Sequence, residues 1–229
     1  MKPDYLKLKF LDKDQVEEIS RYLISDHEST WEDGLESFIG DPKTKKNKQL
    51  KNYIFKQKIS DIVYESLNQN KEYSRFTFPK SIKDFIITRT EEGGYYNLHN
   101  DIGLNGHYST TIFLSDPNSY EGGELSLYLN EEEKKIKCEP GYGVVYRTGV
   151  PHKVNRVISG KRDVIVFWTI SYFKDQFISD LYYDLCGINF KPEDKGTILT
   201  SDDVNIVMDQ NAFKLNEIVN NLIRRYADI

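Results

Sequence analysis

The hydrophobic positions near the start of the chain recur at helical spacing. Val16, Ile19 and Leu23 lie on one face of a 3.6-residue period, which predicts a first helix over residues 13–24. A second apolar set shares one helical face further along and consists of Phe55, Ile59, Ile62, Val63 and Leu67. Residues 31–50, between the two helices, are polar and interrupted by Gly and Pro. We therefore expect a long surface loop there.

Between residues 84 and 172 the pattern changes to short runs rich in Val, Ile, Thr, Tyr and Phe, each closed by Gly, Pro, Asn or Asp. Eight of these runs are expected to form strands, at about residues 85–88, 94–98, 108–114, 124–129, 134–138, 143–146, 153–157 and 164–170. Eight short strands with little helix between them predict a two-sheet sandwich or jelly roll.

The helical period returns after Phe173. The apolar positions that carry it are Phe177, Leu181 and Leu185, followed by Leu215, Ile218, Val219, Leu222, Ile223 and Tyr226. We expect these helices to pack on the outside of the sheets. The polar stretch 191–203 is either the boundary of a small helical extension or a loop within one domain. The predicted organisation is a helical support region over 1–83, a β core over 84–172 and a C-terminal helical extension over 173–229.

Composition limits the classes of protein that the chain can belong to. A hydrophobic share of 38% and an aromatic share of 13% are typical of a folded chain. The net charge of −5 argues against a general nucleic-acid binder. No uncharged apolar run approaches membrane-spanning length, and the first ten residues lack the apolar core of a signal peptide. With two cysteines, interpreted as structural thiols, we expect a soluble cytoplasmic protein of undetermined oligomeric state.

The candidate chemistry lies in a few histidines and their neighbours. In an extended segment His99 and Asp101 point to the same face, so both can bind one metal ion. His152 follows a predicted strand and a tight turn. Two imidazoles and one carboxylate leave one face of a metal open, as in non-heme Fe(II) oxygenases. Arg162, ten residues after His152, suits a dicarboxylate co-substrate. Taken singly, these residues also fit ordinary roles: His99 with Asp101 as a surface histidine beside an aspartate, and Arg162 as a solvated arginine.

Beyond these residues, the sequence resembles a known family. The matching runs are Ser109-Thr110-Thr111-Ile112-Phe113-Leu114-Ser115-Asp116-Pro117 and Tyr120-Glu121-Gly122-Gly123-Glu124-Leu125, with Gly93, Pro140-Gly141, Phe167-Trp168, Trp31-Glu32-Asp33-Gly34 and Asn47-Lys48-Gln49-Leu50. They resemble the Fe(II)- and 2-oxoglutarate-dependent dioxygenases of the prolyl-4-hydroxylase-like type, closest to PKHD-type hydroxylases. The resemblance covers about residues 12–172 and implies a double-stranded β-helix (jelly roll) core with flanking helices.

The resemblance also implies an activity and a set of site residues. His99, Asp101 and His152 would be the iron ligands, Arg162 would hold the far carboxylate of 2-oxoglutarate, and Tyr96 would line the pocket. The reaction would hydroxylate a C–H bond and release succinate and CO2, with ascorbate as a further reductant. The prolyl-hydroxylase character favours a prolyl residue of a peptide or protein as substrate, and a free amino acid or other small molecule stays open.

Two departures from the family pattern leave the second contact to 2-oxoglutarate open. Thr90 and Phe113 stand where related enzymes have tyrosines. The sequence also leaves two other functions open. A zinc hydrolase would accept two His and an Asp but gives no reason for Arg162, and a jelly-roll binding module would keep the fold without turnover.

Overall fold

The computed structural model describes residues 2–24, 30–37, 41–101, 106–187, 197–199, 205–207 and 210–228. The helices in these parts of the chain are α1 (Lys13–Leu23), α2 (Tyr53–Gln69), α3 (Lys71–Thr77), α4 (Gln176–Cys186) and α5 (Gln210–Tyr226). The strands are β1 (Tyr5–Lys9), β2 (Trp31–Asp33), β3 (Lys45–Lys46), β4 (Lys48–Leu50), β5 (Pro79–Glu91), β6 (Tyr95–His99), β7 (Tyr108–Phe113), β8 (Glu121–Gly122), β9 (Leu125–Leu129), β10 (Glu132–Ile136), β11 (Tyr142–Arg147), β12 (His152–Val154), β13 (Val157–Ser159), β14 (Lys161–Ser171), β15 (Thr197–Leu199) and β16 (Asn205–Val207).

Two antiparallel sheets enclose the core. The larger has the strand order β1-β11-β7-β14-β5-β4-β2 and the smaller β10-β9-β12-β6-β3. Buried side chains from both sheets pack into one cluster, in which Phe113, Val144 and Val164 meet Leu125 and Leu127. Every residue of β7, an interior strand of the larger sheet, is buried. The mainly β jelly-roll fold expected from the sequence is therefore confirmed.

All eight strands expected between residues 84 and 172 are present, as β5, β6, β7, β9, β10, β11, β12 and β14. The first expected strand is much longer than the apolar run that suggested it, because β5 extends to pair with ten residues of β14. Strand β1, not expected from the sequence, pairs with β11 at the edge of the larger sheet. Its alternating Leu and Lys positions are typical of such an edge strand.

The prediction of a surface loop over residues 31–50 is wrong. β2 and β4 extend the larger sheet next to β5, and β3 pairs with β6 in the smaller one. Trp31 is buried against the guanidinium of Arg89, with 4.2 Å between Cζ and the ring centroid. Strands of two or three residues contain too few positions for an alternating pattern. The polar composition of the segment therefore predicted a loop.

The N-terminal helices support the larger sheet. Asp12 caps α1 in a capping box with Gln15, which confirms the expected first helix. The Tyr64 ring of α2 packs edge-on against Phe85 of β5, and Tyr73 of α3 contacts Phe167 of β14 in the same way. Helix α3, which the sequence analysis did not separate from α2, begins at its own Asn70 cap.

Two compact units divide the chain, Asp4–Ser171 and a second made of Met1–Pro3 with Tyr172–Ile229. The predicted three-part division stays a prediction. In the second unit α4 and α5 form where the C-terminal helical period indicated, and the candidate boundary at 191–203 falls largely outside the described residues. Cys138 and Cys186 are free thiols. Among the described helices, none has the length and apolar character needed to cross a membrane.

Candidate active site

Strand pairing brings the two candidate histidines together. β6 and β12 are antiparallel neighbours, and His99 lies directly opposite His152 in their register. The centroids of the two imidazole rings are 4.2 Å apart. Asp101 follows β6 by two residues, and one ligand atom from each of the three side chains lies within 4.8 Å of the other two. Among the described residues, this is the group of side chains positioned to hold a metal ion.

Hydrogen bonds fix which nitrogen each imidazole presents. His99 Nδ1 lies 2.8 Å from the carbonyl oxygen of Asn97, and His152 Nδ1 lies 2.8 Å from that of Val150. A carbonyl only accepts, so Nδ1 is the protonated nitrogen in both rings. The unprotonated Nε2 atoms then face the carboxylate, at 3.8 Å from Asp101 Oδ1 for His99 and 3.7 Å from Oδ2 for His152. Both histidines thus offer a lone pair toward the same point.

Two donors hold the carboxylate of Asp101 in place. Ser109 Oγ donates to Oδ2 at 2.9 Å, and Trp168 Nε1 donates to the same oxygen at 2.8 Å. Ser109 and Trp168 lie opposite each other in the pairing of β7 with β14. The larger sheet therefore orients a carboxylate that follows a strand of the smaller sheet.

Burial keeps the His99 imidazole neutral. Desolvation, with a further contribution from His152, lowers the pKa of His99 to about 4, so its Nε2 is available as a ligand at neutral pH. Tyr96 stacks on the His99 ring, with centroids 3.7 Å apart, and burial raises the pKa of its phenol to about 12. The hydroxyl of Tyr96 is therefore a hydrogen-bond donor at neutral pH.

The predicted co-substrate residue, Arg162, is buried at the start of β14, with 2% of its surface exposed. The next carboxylate along the strand, Asp163, is held by Arg89 through two hydrogen bonds of 2.8 Å. Phe113 lies against the guanidinium of Arg162, with its ring centroid 5.2 Å from Cζ. Within the described residues, Arg162 Nε is a buried donor with no hydrogen-bond partner. A buried guanidinium in this condition is suited to an anionic ligand.

Tyr146 connects the two ends of the site. Its ring packs edge-on against His152 at 5.5 Å, and its phenol interacts electrostatically with both Asp101 and Arg162. Burial raises its pKa well above the ordinary value, so it stays protonated. Tyr146 thus neighbours both the candidate metal-binding group and Arg162, and the chemistry of these donors fits Fe(II) and a dicarboxylate such as 2-oxoglutarate.

The sequence analysis did not assign the roles of Ser109, Trp168 and Tyr146. Ser109 and Trp168 stand in motifs of the family resemblance, but a hydrogen bond across two sheets leaves no local pattern that would assign their roles. His107 accepts a 2.9 Å hydrogen bond from the backbone N–H of Ser171 through Nδ1. Thr90 is buried opposite Arg162 in the pairing of β5 with β14.

Comparison with known proteins agrees with this geometry. Residues 85–170 match the family model of the 2OG-Fe(II) oxygenase superfamily. A PKHD-type hydroxylase from Prochlorococcus marinus is 33% identical over 187 residues, which cover 74% of this chain and 79% of that protein.

Solved structures with the same fold include two prolyl hydroxylases. A prolyl-4-hydroxylase from Pseudomonas putida has a TM-score of 0.55 at 17% identity, covering 73% of this chain and 92% of the other. A prolyl hydroxylase from Trichoplax adhaerens, in complex with a hypoxia inducible factor oxygen degradation domain peptide fragment, has a TM-score of 0.55 at 15% identity, covering 81% and 88%. At these identities the likeness concerns the fold.

The chain belongs to the PKHD-type hydroxylases of the 2OG-Fe(II) oxygenase superfamily. It is therefore a hydroxylase, and the family uses Fe(II) and 2-oxoglutarate. The zinc hydrolase and the silent binding module, both open on the sequence residues alone, have no support in this family.

Proposed function

We propose that the protein hydroxylates a C–H bond with O2, using Fe(II) held by His99, Asp101 and His152. One oxygen atom of O2 enters the substrate and the other enters succinate, which forms from 2-oxoglutarate with release of CO2. The observation that carries the proposal is the convergence of three possible ligand atoms within 4.8 Å, together with a buried Arg162 whose Nε has no hydrogen-bond partner among the described residues. A metal site made of two histidines and an aspartate would by itself fit several reactions. The positively charged Arg162 favours those reactions in which a second small molecule carries a carboxylate.

Hydrogen bonds within the protein orient the three proposed ligand side chains. Backbone carbonyls hold both imidazoles through Nδ1, and Ser109 with Trp168 holds Asp101 through Oδ2. Such outer contacts fix the ligand geometry and lower the cost of ordering it on binding. His99, Asp101 and His152 would hold Fe(II), and Fe(II) together with 2-oxoglutarate would supply the oxidising power.

Arg162 would fix the far carboxylate of 2-oxoglutarate. Its guanidinium remains protonated even though burial lowers its pKa, since an arginine is not deprotonated in proteins. Phe113 and Tyr146 border this end of the pocket with aromatic surface, which limits access of water. A dry pocket strengthens the attraction between the guanidinium and a carboxylate.

For the substrate we propose a prolyl residue in a peptide or protein. The names of the relatives support this choice, because two of the structural neighbours are prolyl hydroxylases and one of these was solved with a peptide. A free amino acid or another small molecule is the alternative. Ascorbate is proposed as the reductant that keeps the iron in the ferrous state.

The test is turnover of proline-containing peptides with Fe(II), 2-oxoglutarate and ascorbate in air. We expect a peptide mass gain of one oxygen and an equal amount of succinate, both lost when 2-oxoglutarate is omitted. Succinate release without peptide oxidation would contradict the peptide substrate and direct the search to small molecules. If neither product forms in folded, iron-loaded protein, the proposed function is wrong.

A further inference from the structure

A second buried polar group lies unsatisfied beside Arg162. Among the described residues, four buried side-chain atoms have no hydrogen-bond partner: Asn47 Oδ1, Thr110 Oγ1, Tyr120 Oη and Arg162 Nε. Two of the four, those of Tyr120 and Arg162, belong to neighbouring side chains. An unpaired buried hydroxyl and an unpaired buried guanidinium each cost free energy in the absence of a ligand. Their occurrence together indicates a site for one ligand that satisfies both.

The two side chains pack over the same glycine. A Cβ atom placed on Gly123 would lie 3.1 Å from Tyr120 Cε2 and 3.2 Å from Arg162 Cδ. Gly123 itself has a φ of +66°, so both the backbone and the space favour glycine at this position. The Tyr-x-Gly-Gly-Glu-Leu motif thus places the phenol and leaves room for the guanidinium next to it.

Lys137 contacts Tyr120 at both its backbone carbonyl and its ring. Lys137 Nζ donates a 2.7 Å hydrogen bond to the Tyr120 carbonyl and lies 3.8 Å from the centroid of the phenol ring. The nearest carboxylate, Glu124, accepts from Asn155 Nδ2 at 3.2 Å. Burial raises the pKa of Tyr120, which keeps its hydroxyl protonated and able to donate. The phenol is therefore fixed. The Arg162 guanidinium beside it can only donate, so it can bond to the Tyr120 oxygen while the hydroxyl proton stays available for an acceptor on a ligand.

We infer that Tyr120 is a second binding residue for 2-oxoglutarate, donating a hydrogen bond to the far carboxylate beside Arg162. The inference rests on the proposed function of the site. A carboxylate has about four lone-pair positions, more than one edge of a guanidinium fills, so a further donor is accommodated. Tyr120 thereby provides the contact that Thr90 and Phe113 left open.

The test compares Tyr120→Phe with a matched control, Tyr128→Phe. Tyr128 loses a hydroxyl that donates to Glu133 at the surface of β9. Binding is followed anaerobically through the visible charge-transfer band of Fe(II) with 2-oxoglutarate. Because a hydrogen bond to a charged group is lost, we expect Tyr120→Phe to weaken 2-oxoglutarate binding about ten- to a hundredfold and Tyr128→Phe to leave it unchanged.

Two further readouts separate ligand binding from a structural role. 2-Oxobutyrate has no far carboxylate, so its binding should be equal in wild type and Tyr120→Phe. The ligand-free variant should melt at the same temperature as wild type or higher, because an unpaired buried hydroxyl is removed. A lower melting temperature with unchanged 2-oxoglutarate binding would show that Tyr120 serves the fold alone and would overturn the inference.

Arg162→Ala distinguishes failure of this inference from failure of the proposed function. If Arg162→Ala weakens binding and Tyr120→Phe does not, the inference is wrong and the proposed function stands. If wild-type protein produces no band with Fe(II) and 2-oxoglutarate, both are wrong.

Discussion

Trp168 Nε1 donates a 2.8 Å hydrogen bond to Asp101 Oδ2, joining two residues that lie 67 positions apart in the chain. An indole N–H can only donate, so the bond requires Oδ2 to accept, and it fixes the orientation of the carboxylate. The other oxygen, Oδ1, faces His99 Nε2 at 3.8 Å. The larger sheet in this way controls the geometry of a proposed metal ligand that follows a strand of the smaller one.

Replacing Trp168 by Phe should weaken Fe(II) binding by about tenfold or more, because an oriented carboxylate becomes free to turn. Anaerobic metal titration measures the change. Trp31→Phe is the matched control, since it alters the other of the two tryptophans, which stacks on Arg89. Equal iron affinity in wild type and Trp168→Phe would contradict the role of this hydrogen bond.

Asp101→Ala should abolish iron binding and turnover together, because two imidazoles alone hold Fe(II) weakly. Iron content and succinate release would be measured on the same preparation. Asp12→Ala is the control: it removes the cap of α1 and costs about 1 kcal/mol of stability without touching the site. Full activity in Asp101→Ala would show that Asp101 is not a ligand.

Gly123→Ala should raise the KM for 2-oxoglutarate several-fold, because the added methyl group would press on Tyr120 and Arg162. Gly93→Ala makes the same change at another positive φ, where the nearest atoms lie 3.6 Å or more away. Both variants bear the cost of a strained backbone, about 1 kcal/mol. Steady-state kinetics should therefore show a raised KM for 2-oxoglutarate in Gly123→Ala but not in Gly93→Ala. A similar KM in the two variants would contradict the contact of residue 123 with Tyr120 and Arg162.

Arg89→Ala should destabilise the fold by about 3–5 kcal/mol, because it leaves the buried Asp163 carboxylate without its partner. The Lys48–Glu91 pair has a similar distance of 2.8 Å but about half of each side chain is exposed. Lys48→Ala should therefore cost less than about 1 kcal/mol. Urea denaturation of the two variants compares these values, and equal losses would show that burial does not set the strength of these pairs.

Much of the β core was predictable because its strands are long enough to show their composition. β7 and β14 are rich in β-branched and aromatic residues, and the His-x-Asp spacing places His99 and Asp101 on one face wherever the segment is extended. These features are local in sequence. The register that sets His99 opposite His152 is not local, because five other strands lie between β6 and β12 in the chain.

The other parts of the fold and of the site depend on tertiary contacts, which a single sequence does not reveal. The segment 31–50 forms strands only because β5 and β6 offer it exposed edges, so its polar pattern indicated a loop. Trp168 and Tyr120 act through hydrogen-bonding groups whose directions are set by tertiary packing. Nothing in the sequence separates a tyrosine with an unsatisfied hydroxyl from one that packs in a core.

The most direct test of the account is anaerobic titration of the metal-free protein with Fe(II) and then 2-oxoglutarate, in wild type and Arg162→Ala. The account predicts a visible charge-transfer band that needs both additions and is weakened in the variant. A band of equal strength in Arg162→Ala would contradict the co-substrate site, and no band in folded wild-type protein would contradict the iron site itself.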